Sequence, residues 1–546
     1  MLQPENQTKK YESLFLSIDG GSIKIPNFQR KFIWGKQQTA KLIDSIIKGF
    51  PIGTFIFWKT KEELRHYRNI GNVELPKTPK GESVLYVLDG QQRITSLYAL
   101  RKGLIYIMEG DNGNRGEVDY KEISISLAPD PDADEEVVVT EPPENGSYIS
   151  VHELLKGDFT DWMEEYSKEE LKKIEVYKKR LTGYDFSTIV MPEYPLDIAC
   201  EVFTRINTGG TELTLFEIMV AKTYDQKKKF DLVERYEWLI DNKGADKDLE
   251  DVDYDTIPPV TILQCVSAYL SKEVRRKDIL KLNKAKFIKS WDTVRDGIFE
   301  AVDFIRKYLH VTVSGLLPYN AILVPFSYFF IRMKGQKPST IQRKLLEQYF
   351  FWAALSERFS SGAEGKIALD LRRMDKILKE NAPSYRAEEV DLDLQRLKGQ
   401  WFSAGNAFCK GIICLYASFR PFSFDGEGEV ELGNAWLKRA NSKNYHHFFP
   451  KSYLWKKGYD DWYANSIINI TLVDDYLNKR TIGSKAPGTY MKTFERTNDK
   501  LNKTMRTHLV DNLNTFGVWN NEYDTFIRKR GKRIIDELNK RLYPDP

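Results

Sequence analysis

The chain changes character twice along its length, and those two changes limit what it can fold into. Up to about residue 225, short runs rich in β-branched and aromatic residues alternate with helical periodicity, the signature of mixed α/β structure. From 226 to 420 the pattern is almost wholly helical and aromatic-rich, as in QYFFWAALSERF. After PFSFDGEGEVELG, a linker or hairpin at about residue 421, the sequence turns polar, basic and rich in Asn. Three domains are therefore expected, at 1–225, 226–420 and 421–546, consistent with 546 residues at roughly 100–200 per domain. With 41% hydrophobic and 29% charged residues, the chain is neither disordered nor fibrous. Its 82 Lys and Arg against 78 Asp and Glu leave a net charge of only +4, so any basic surface must be local.

Four cysteines without C-x-x-C spacing give no disulfide framework and no zinc knuckle; Cys409 and Cys414 read as core thiols. The start, MLQPENQTKK, lacks the apolar run of a signal peptide. The most apolar stretch, Leu316 to Ile331, is shorter than the ~20 residues a bilayer requires and carries Pro318, Asn320 and Pro325. It reads as a buried helix with a proline break. The expectation is a soluble cytoplasmic protein with no membrane association.

In the first region, apolar residues from Gln37 to Lys48 mostly recur at helical spacing, and Thr54 to Trp58 is dense in strand formers. A second strand, Val84 to Leu88, runs into Asp89-Gly90-Gln91-Gln92-Arg93 and a helix. Free N–H groups at a helix start favour an anion there, Gly90 permits close backbone approach, Arg93 can fork onto phosphate oxygens and Asp89 can hold a metal or a water. The same residues also fit an Asp-Gly turn with a helix cap and a surface arginine. Residues 110–147 look like a loop-rich insertion around one strand, Glu122 to Leu127. Asp161 to Leu181 reads as a charged, solvated helix supported by pairs such as Glu169/Lys173. A strand at Ser187 to Met191, a helix through Cys200 to Arg205, a turn at Asn207-Thr208-Gly209-Gly210 and a capping box opening at Thr214 complete the region.

Taken together, IPNFQRKFIW, LDGQQRITSLYAL and FTRINTGGTELTLFEI resemble the DGQQR-motif domain of GmrSD-type restriction proteins over residues 10–225. That domain is similar in core to ParB and sulfiredoxin, which set a comparable turn over nucleotide phosphates. The resemblance implies a nucleotide-binding, NTP-hydrolysing domain. Asp89 and Arg93 would serve catalysis, and Gly90, Gln91 and Gln92 would hold the nucleotide with them. Gln29, Arg30, Asn207, Thr208 and Gly209 would lie around the same pocket. The base accepted does not follow from these residues. Phe28, Phe32 and Trp34 read as core packing rather than as a sensing pocket.

In the third region, two of the six histidines are adjacent, in Tyr445-His446-His447-Phe448-Phe449-Pro450. In a strand such neighbours face opposite ways, so a bare pair usually has one buried and one exposed member. Downstream lie Asn465 to Leu472 and Asn478-Lys479-Arg480. A His pair, a central Asn and a helical Asn, in that order, are the parts of a ββα-metal nuclease site. Phosphodiester hydrolysis needs a cation on the phosphate and a base for water, and neutral imidazole suits the base.

The pattern HHFFPKSYL…NSIINITLVDDYLNKRTIGSKAPGTYM resembles the His-Asn-His/Asn (HNH-like) nuclease domain that follows the DGQQR domain in the same family, over about residues 430–545. It implies His447 as general base, Asn469 as the central Asn, and His446 and Asn478 as metal ligands. An amide at Asn478, where many such nucleases have His, points to Mg²⁺ or Mn²⁺ rather than tight zinc. The run Arg528, Lys529, Arg530, Lys532 and Arg533 fits either contact with a DNA backbone or an ordinary solvated helix end.

The fold expected is α/β plus α: a ParB/sulfiredoxin-like domain, a helical domain and an HNH-like nuclease domain. The function expected is an NTP-coupled, metal-dependent DNA endonuclease of type IV restriction character, cutting modified phage DNA in antiviral defence. Its partners would be modified DNA and a nucleoside triphosphate, and a homo-oligomer is compatible. The alternatives are a nucleotide-switched DNA-binding regulator without nuclease activity, and a toxin nuclease acting on RNA or host DNA.

Overall fold

A computed structural model describes the chain except for residues 1–2, 27–31, 62–72, 74, 80, 110–114, 130, 132–135, 143–144, 207–213, 226, 243–247, 427, 431, 434–444, 474–480 and 545–546. The chain divides into two compact units, Met1–Lys229 and Phe230–Pro546.

The first unit is built on a five-stranded mixed sheet in the order Glu5–Lys10, Asp185–Pro192, Phe55–Thr60, Val84–Asp89, Ile23–Lys24. The central strands Phe55–Thr60 and Asp185–Pro192 run parallel, with Phe57 opposite Val190, and Val84–Asp89 is antiparallel to Phe55–Thr60. Their alternation sends Phe55, Phe57, Val87, Phe186 and Val190 into one core, covered by helices Tyr11–Asp19, Lys36–Ile47, Gln91–Lys102 and Lys168–Thr182. Trp58 is buried against Tyr86 and donates from Nε1 to the Tyr194 carbonyl at 2.9 Å.

Three features differ from the sequence reading. The edge strand Glu5–Lys10 is polar and almost wholly exposed, so no hydrophobic alternation marks it; it exists through pairing with Asp185–Val190. The 110–147 insertion holds more sheet than the single strand expected. A hairpin pairs Ile105–Glu109 with Arg115–Asp119, and Ser124–Ser126 lies between Val138–Val139 and Tyr148–Ser150. The charged helix begins at Lys168 rather than Asp161, because Ser167 and Glu170 form a capping box that fixes its start.

The second unit contains helices Pro259–Ser271, Lys284–Lys307, Leu323–Met333, Thr340–Leu355, Ala363–Leu378 and Ala407–Ser418. Phe350, Phe351 and Trp352 of the aromatic run are buried, as is Asp370, which binds Arg358, Arg373 and the Tyr349 hydroxyl. Pro325 falls in the first turn of Leu323–Met333, where it removes no needed N–H. Phe422 and Glu429 form an antiparallel bridge, so the Gly/acidic stretch is a hairpin. All four cysteines are buried thiols. Among the described residues, no helix is long and apolar enough to cross a membrane.

The helical and C-terminal stretches, read from sequence as separate domains, cluster as one unit. The long last helix, Tyr523–Leu542, buries Phe526, Ile527, Ile534, Leu538 and Leu542. Gln348 donates to the Leu542 carbonyl at 2.6 Å, and Arg541 pairs with Glu347 at 3.1 Å. An apolar stripe of that length needs a helical partner to cover it.

Candidate functional site

In the first unit, the strand Val84–Asp89 ends at Gly90, which has φ +91° and opens helix Gln91–Lys102 with no side-chain cap. A Cβ at Gly90 would lie 2.3 Å from a ring carbon of Phe55, so the turn needs glycine for both conformation and space. Arg93 folds back beneath it. Its guanidinium donates to the carbonyls of Ile52 at 2.6 Å and Thr54 at 3.2 Å and to Asp89 Oδ2 at 3.0 Å, and lies 5.1 Å from the Phe55 ring centre. Burial lowers its pKa, and Asp89 opposes that shift. As placed, Arg93 braces the Ile52–Thr54 loop, and its terminal nitrogens already have acceptors.

Gln92 accepts a hydrogen bond from the Ile33 backbone N–H at 2.9 Å, which brings the end of the first motif to the DGQQR turn. Gln91 is 5% exposed, and its side-chain oxygen has no hydrogen-bond partner. Phe32 meets Tyr106 edge-on at 5.2 Å and is core, as the sequence suggested. Thr214 and Glu217 form the expected capping box. Gln29, Arg30, Asn207, Thr208 and Gly209 lie outside the described residues.

In the second unit, Tyr445–His447 pairs antiparallel with Ile470–Leu472, setting His446 opposite Thr471 and His447 opposite Ile470. Asn469, wholly buried, ties the turn together. Its Oδ1 accepts from the Phe449 N–H at 2.8 Å, and its Nδ2 donates to the carbonyls of Phe449 and Ala464, each at 2.9 Å. These bonds pin the turn after the first strand to the loop that leads into the second. His446 is buried, and His447 is only partly so.

His447 Nε2 lies 2.8 Å from Asn465 Oδ1. Burial pushes its pKa down to about 4; the Asn465 hydrogen bond opposes the shift and the Lys451 charge adds to it. The imidazole is therefore neutral at pH 7. Asn465 was not singled out from the sequence, and the only signal there was its place at the start of the Asn-rich run. A third histidine, His508, sits behind the hairpin: Nδ1 is 2.8 Å from Thr471 Oγ1 and Nε2 is 2.7 Å from the Phe422 carbonyl. With both nitrogens occupied and 3% exposure, it is a structural residue.

Among the described residues, no group of three or more His, Cys, Asp or Glu could hold a metal ion. The donors that the sequence offers are His446 and Asn478, the latter outside the described residues. One imidazole and one amide fit a hydrated divalent ion with open positions, and do not fit a closed structural zinc site.

The basic run divides. Arg528, Lys529 and Lys532 are exposed, and their spacing puts them on one side of the helix. Arg530 is 0% exposed: it donates to the backbone carbonyls of His508, Ile468 and Ile470 and lies over the Tyr416 ring. This corrects its assignment to the DNA-contact set, since a helix with a buried stripe must turn some of its run inward. Arg533 is engaged by Asp511 and Glu537.

Residues 11–224 match the GmrSD restriction endonuclease N-terminal domain, and residues 423–537 match the GmrSD restriction endonuclease C-terminal domain. Together the matches span more than half of the chain. The chain belongs to the GmrSD family and is a type IV restriction-like endonuclease, with DNA as its partner. An uncharacterized protein of Methanocaldococcus jannaschii is 23% identical over 599 aligned positions, which cover 98% of this chain and 99% of that protein.

Proposed function

We propose that the chain is an HNH-like, divalent-metal-dependent endonuclease coupled to nucleoside triphosphate hydrolysis, and that it cuts modified DNA in antiphage defence. The observation that carries the reading is His447: a neutral imidazole, hydrogen-bonded at Nε2, on a hairpin whose turn is pinned by the buried Asn469. A regulator that only binds DNA has no need of a neutral base held in this way.

In this reading His447 takes a proton from the attacking water, and its low pKa keeps it unprotonated for that task at neutral pH. His446 and Asn478 would hold Mg²⁺ or Mn²⁺. When bound, such an ion supplies positive charge to the scissile phosphate and the leaving oxygen. Arg528, Lys529 and Lys532 contact the DNA backbone and set register, while the mark is read elsewhere. In the first unit, the uncapped N–H groups at the start of helix Gln91–Lys102 receive nucleotide phosphates, with Asp89, Gln91 and Gln92 beside them. By motif position Gln29, Arg30, Asn207, Thr208 and Gly209 would belong to the same nucleotide site, and Arg93 braces the Ile52–Thr54 loop beside the turn.

The test is a cleavage panel. Unmodified, glucosyl-hydroxymethylated and phosphorothioated DNA are incubated with Mg²⁺ or Mn²⁺, with and without mixed NTPs. Cutting confined to one modified substrate and dependent on the divalent ion is the expected result. NTP turnover without cutting of any substrate would replace the nuclease reading with that of a nucleotide-switched binder.

A further inference from the structure

The nuclease reading names a base but not what aims it. Asn465 Oδ1 is 2.8 Å from His447 Nε2, and Asn465 Nδ2 donates to the Phe402 carbonyl at 3.1 Å. That second bond fixes which way the amide faces: its nitrogen has the carbonyl, so its oxygen faces the imidazole. An amide oxygen only accepts. The ring proton of His447 is therefore on Nε2, and the lone pair that can take a proton from water is on Nδ1.

Phe402 lies outside the matched C-terminal domain, in the short segment after helix Leu394–Lys398. That segment is stitched to the loop carrying Asn465. The Phe402 N–H donates to the Asn465 carbonyl at 2.9 Å, and the Ile467 N–H donates to the Gln400 carbonyl at 3.2 Å. Trp401 and Ser466 form an antiparallel bridge, and the Ser466 hydroxyl donates to the Leu397 carbonyl at 3.3 Å. Trp401 also packs on Trp462 with ring centres 5.3 Å apart.

We propose that Asn465 is a positioning residue that fixes the tautomer and ring plane of His447, and that the Gln400–Phe402 segment holds Asn465 in the orientation this requires. The claim rests on the reading of His447 as the base. It makes the end of the helical stretch a working part of the nuclease centre, and it names the atom, Nδ1, that receives the proton.

The experiment uses the full chain with ¹⁵N-labelled histidine, a tractable label with six histidines, and assigns the His447 ring through His447→Ala. Wild-type His447 at neutral pH should show the Nε2–H tautomer. Asn465→Leu, similar in size but without an acceptor, should give a mixture of tautomers. It should also lower the single-turnover cleavage rate on whichever modified DNA the wild type cuts by on the order of 10²–10⁴-fold, with DNA affinity unchanged. Asn465→Asp keeps the acceptor but loses the donor to the Phe402 carbonyl, and should recover only part of that loss. An Nδ1–H signal in the wild type overturns the proposal without any variant having to fold. So does full-rate cutting by Asn465→Leu while His447→Ala is inactive. Normal cutting by His447→Ala removes the base assignment itself, a distinguishable failure.

Discussion

Arg530 Nη1 donates to the Ile470 carbonyl at 2.6 Å, from a helix more than fifty residues further along the chain to the strand opposite His447. The same guanidinium reaches the carbonyls of Ile468 and His508 and is wholly buried. One arginine thus ties the last helix to the hairpin that carries His446 and His447. Arg530→Met should strand three buried carbonyls and lower stability by about 3–5 kcal/mol. Arg530→Lys should fail to rescue it, because one ammonium cannot reproduce the planar fork. Urea unfolding of the two variants checks both statements.

The outward-facing cations should behave in the opposite way. Arg528→Glu, Lys529→Glu and Lys532→Glu together should leave the unfolding free energy within about 0.5 kcal/mol of wild type. They should flatten the log–log salt dependence of DNA binding by about 0.9 for each DNA phosphate that the helix no longer neutralises. Fluorescence anisotropy over a salt series measures that slope, and an unchanged slope removes the helix from the DNA interface.

Acid should loosen the second unit before general unfolding sets in. Burial pushes the His508 pKa down to about 3, with its hydrogen bond to Phe422 opposing, and that of His447 down to about 4. Between pH 6.5 and these values the unfolded chain takes up protons that the folded rings refuse. The stabilisation is complete above pH 6.5 and is lost as pH falls toward 4 and then 3. Thermal unfolding followed from pH 7.5 to 4 should show this decline, at a cost of a few kcal/mol. His508→Gln should flatten it, though from a lower starting stability.

At the DGQQR turn, three substitutions separate structure from chemistry. Gly90→Ala must take a positive φ and drive a methyl group into Phe55, at a cost of about 1–3 kcal/mol. Asp89→Asn preserves the turn and should abolish NTP hydrolysis while leaving the melting temperature nearly unchanged. Arg93→Ala should lose both turnover and stability, since Arg93 braces the Ile52–Thr54 loop. Normal turnover in Asp89→Asn would reduce the segment to a helix start.

Much of this was legible in the sequence where residues carry local signals. The strand at Phe55–Thr60, the helices Lys36–Ile47 and Gln91–Lys102, and the capping box at Thr214 follow from periodicity, turn residues and caps. What escaped depends on contacts distant in the chain. The polar strand Glu5–Lys10 is defined by a partner some 180 residues away. The inward turn of Arg530 within a basic run depends on which side of the helix meets Ile468 and Tyr416. The clamp on His447 depends on Phe402, sixty-three residues from Asn465.

The most direct test is the single-turnover cleavage of modified DNA by the wild type and by His447→Ala, in the presence of Mg²⁺ and NTP, with nucleotide turnover followed in the same tubes. Loss of a general base predicts a cleavage rate lower by ~10²–10⁴-fold with turnover retained. Equal cleavage by the two proteins would contradict the account, because the neutral imidazole beside Asn465 would then have no part in the chemistry.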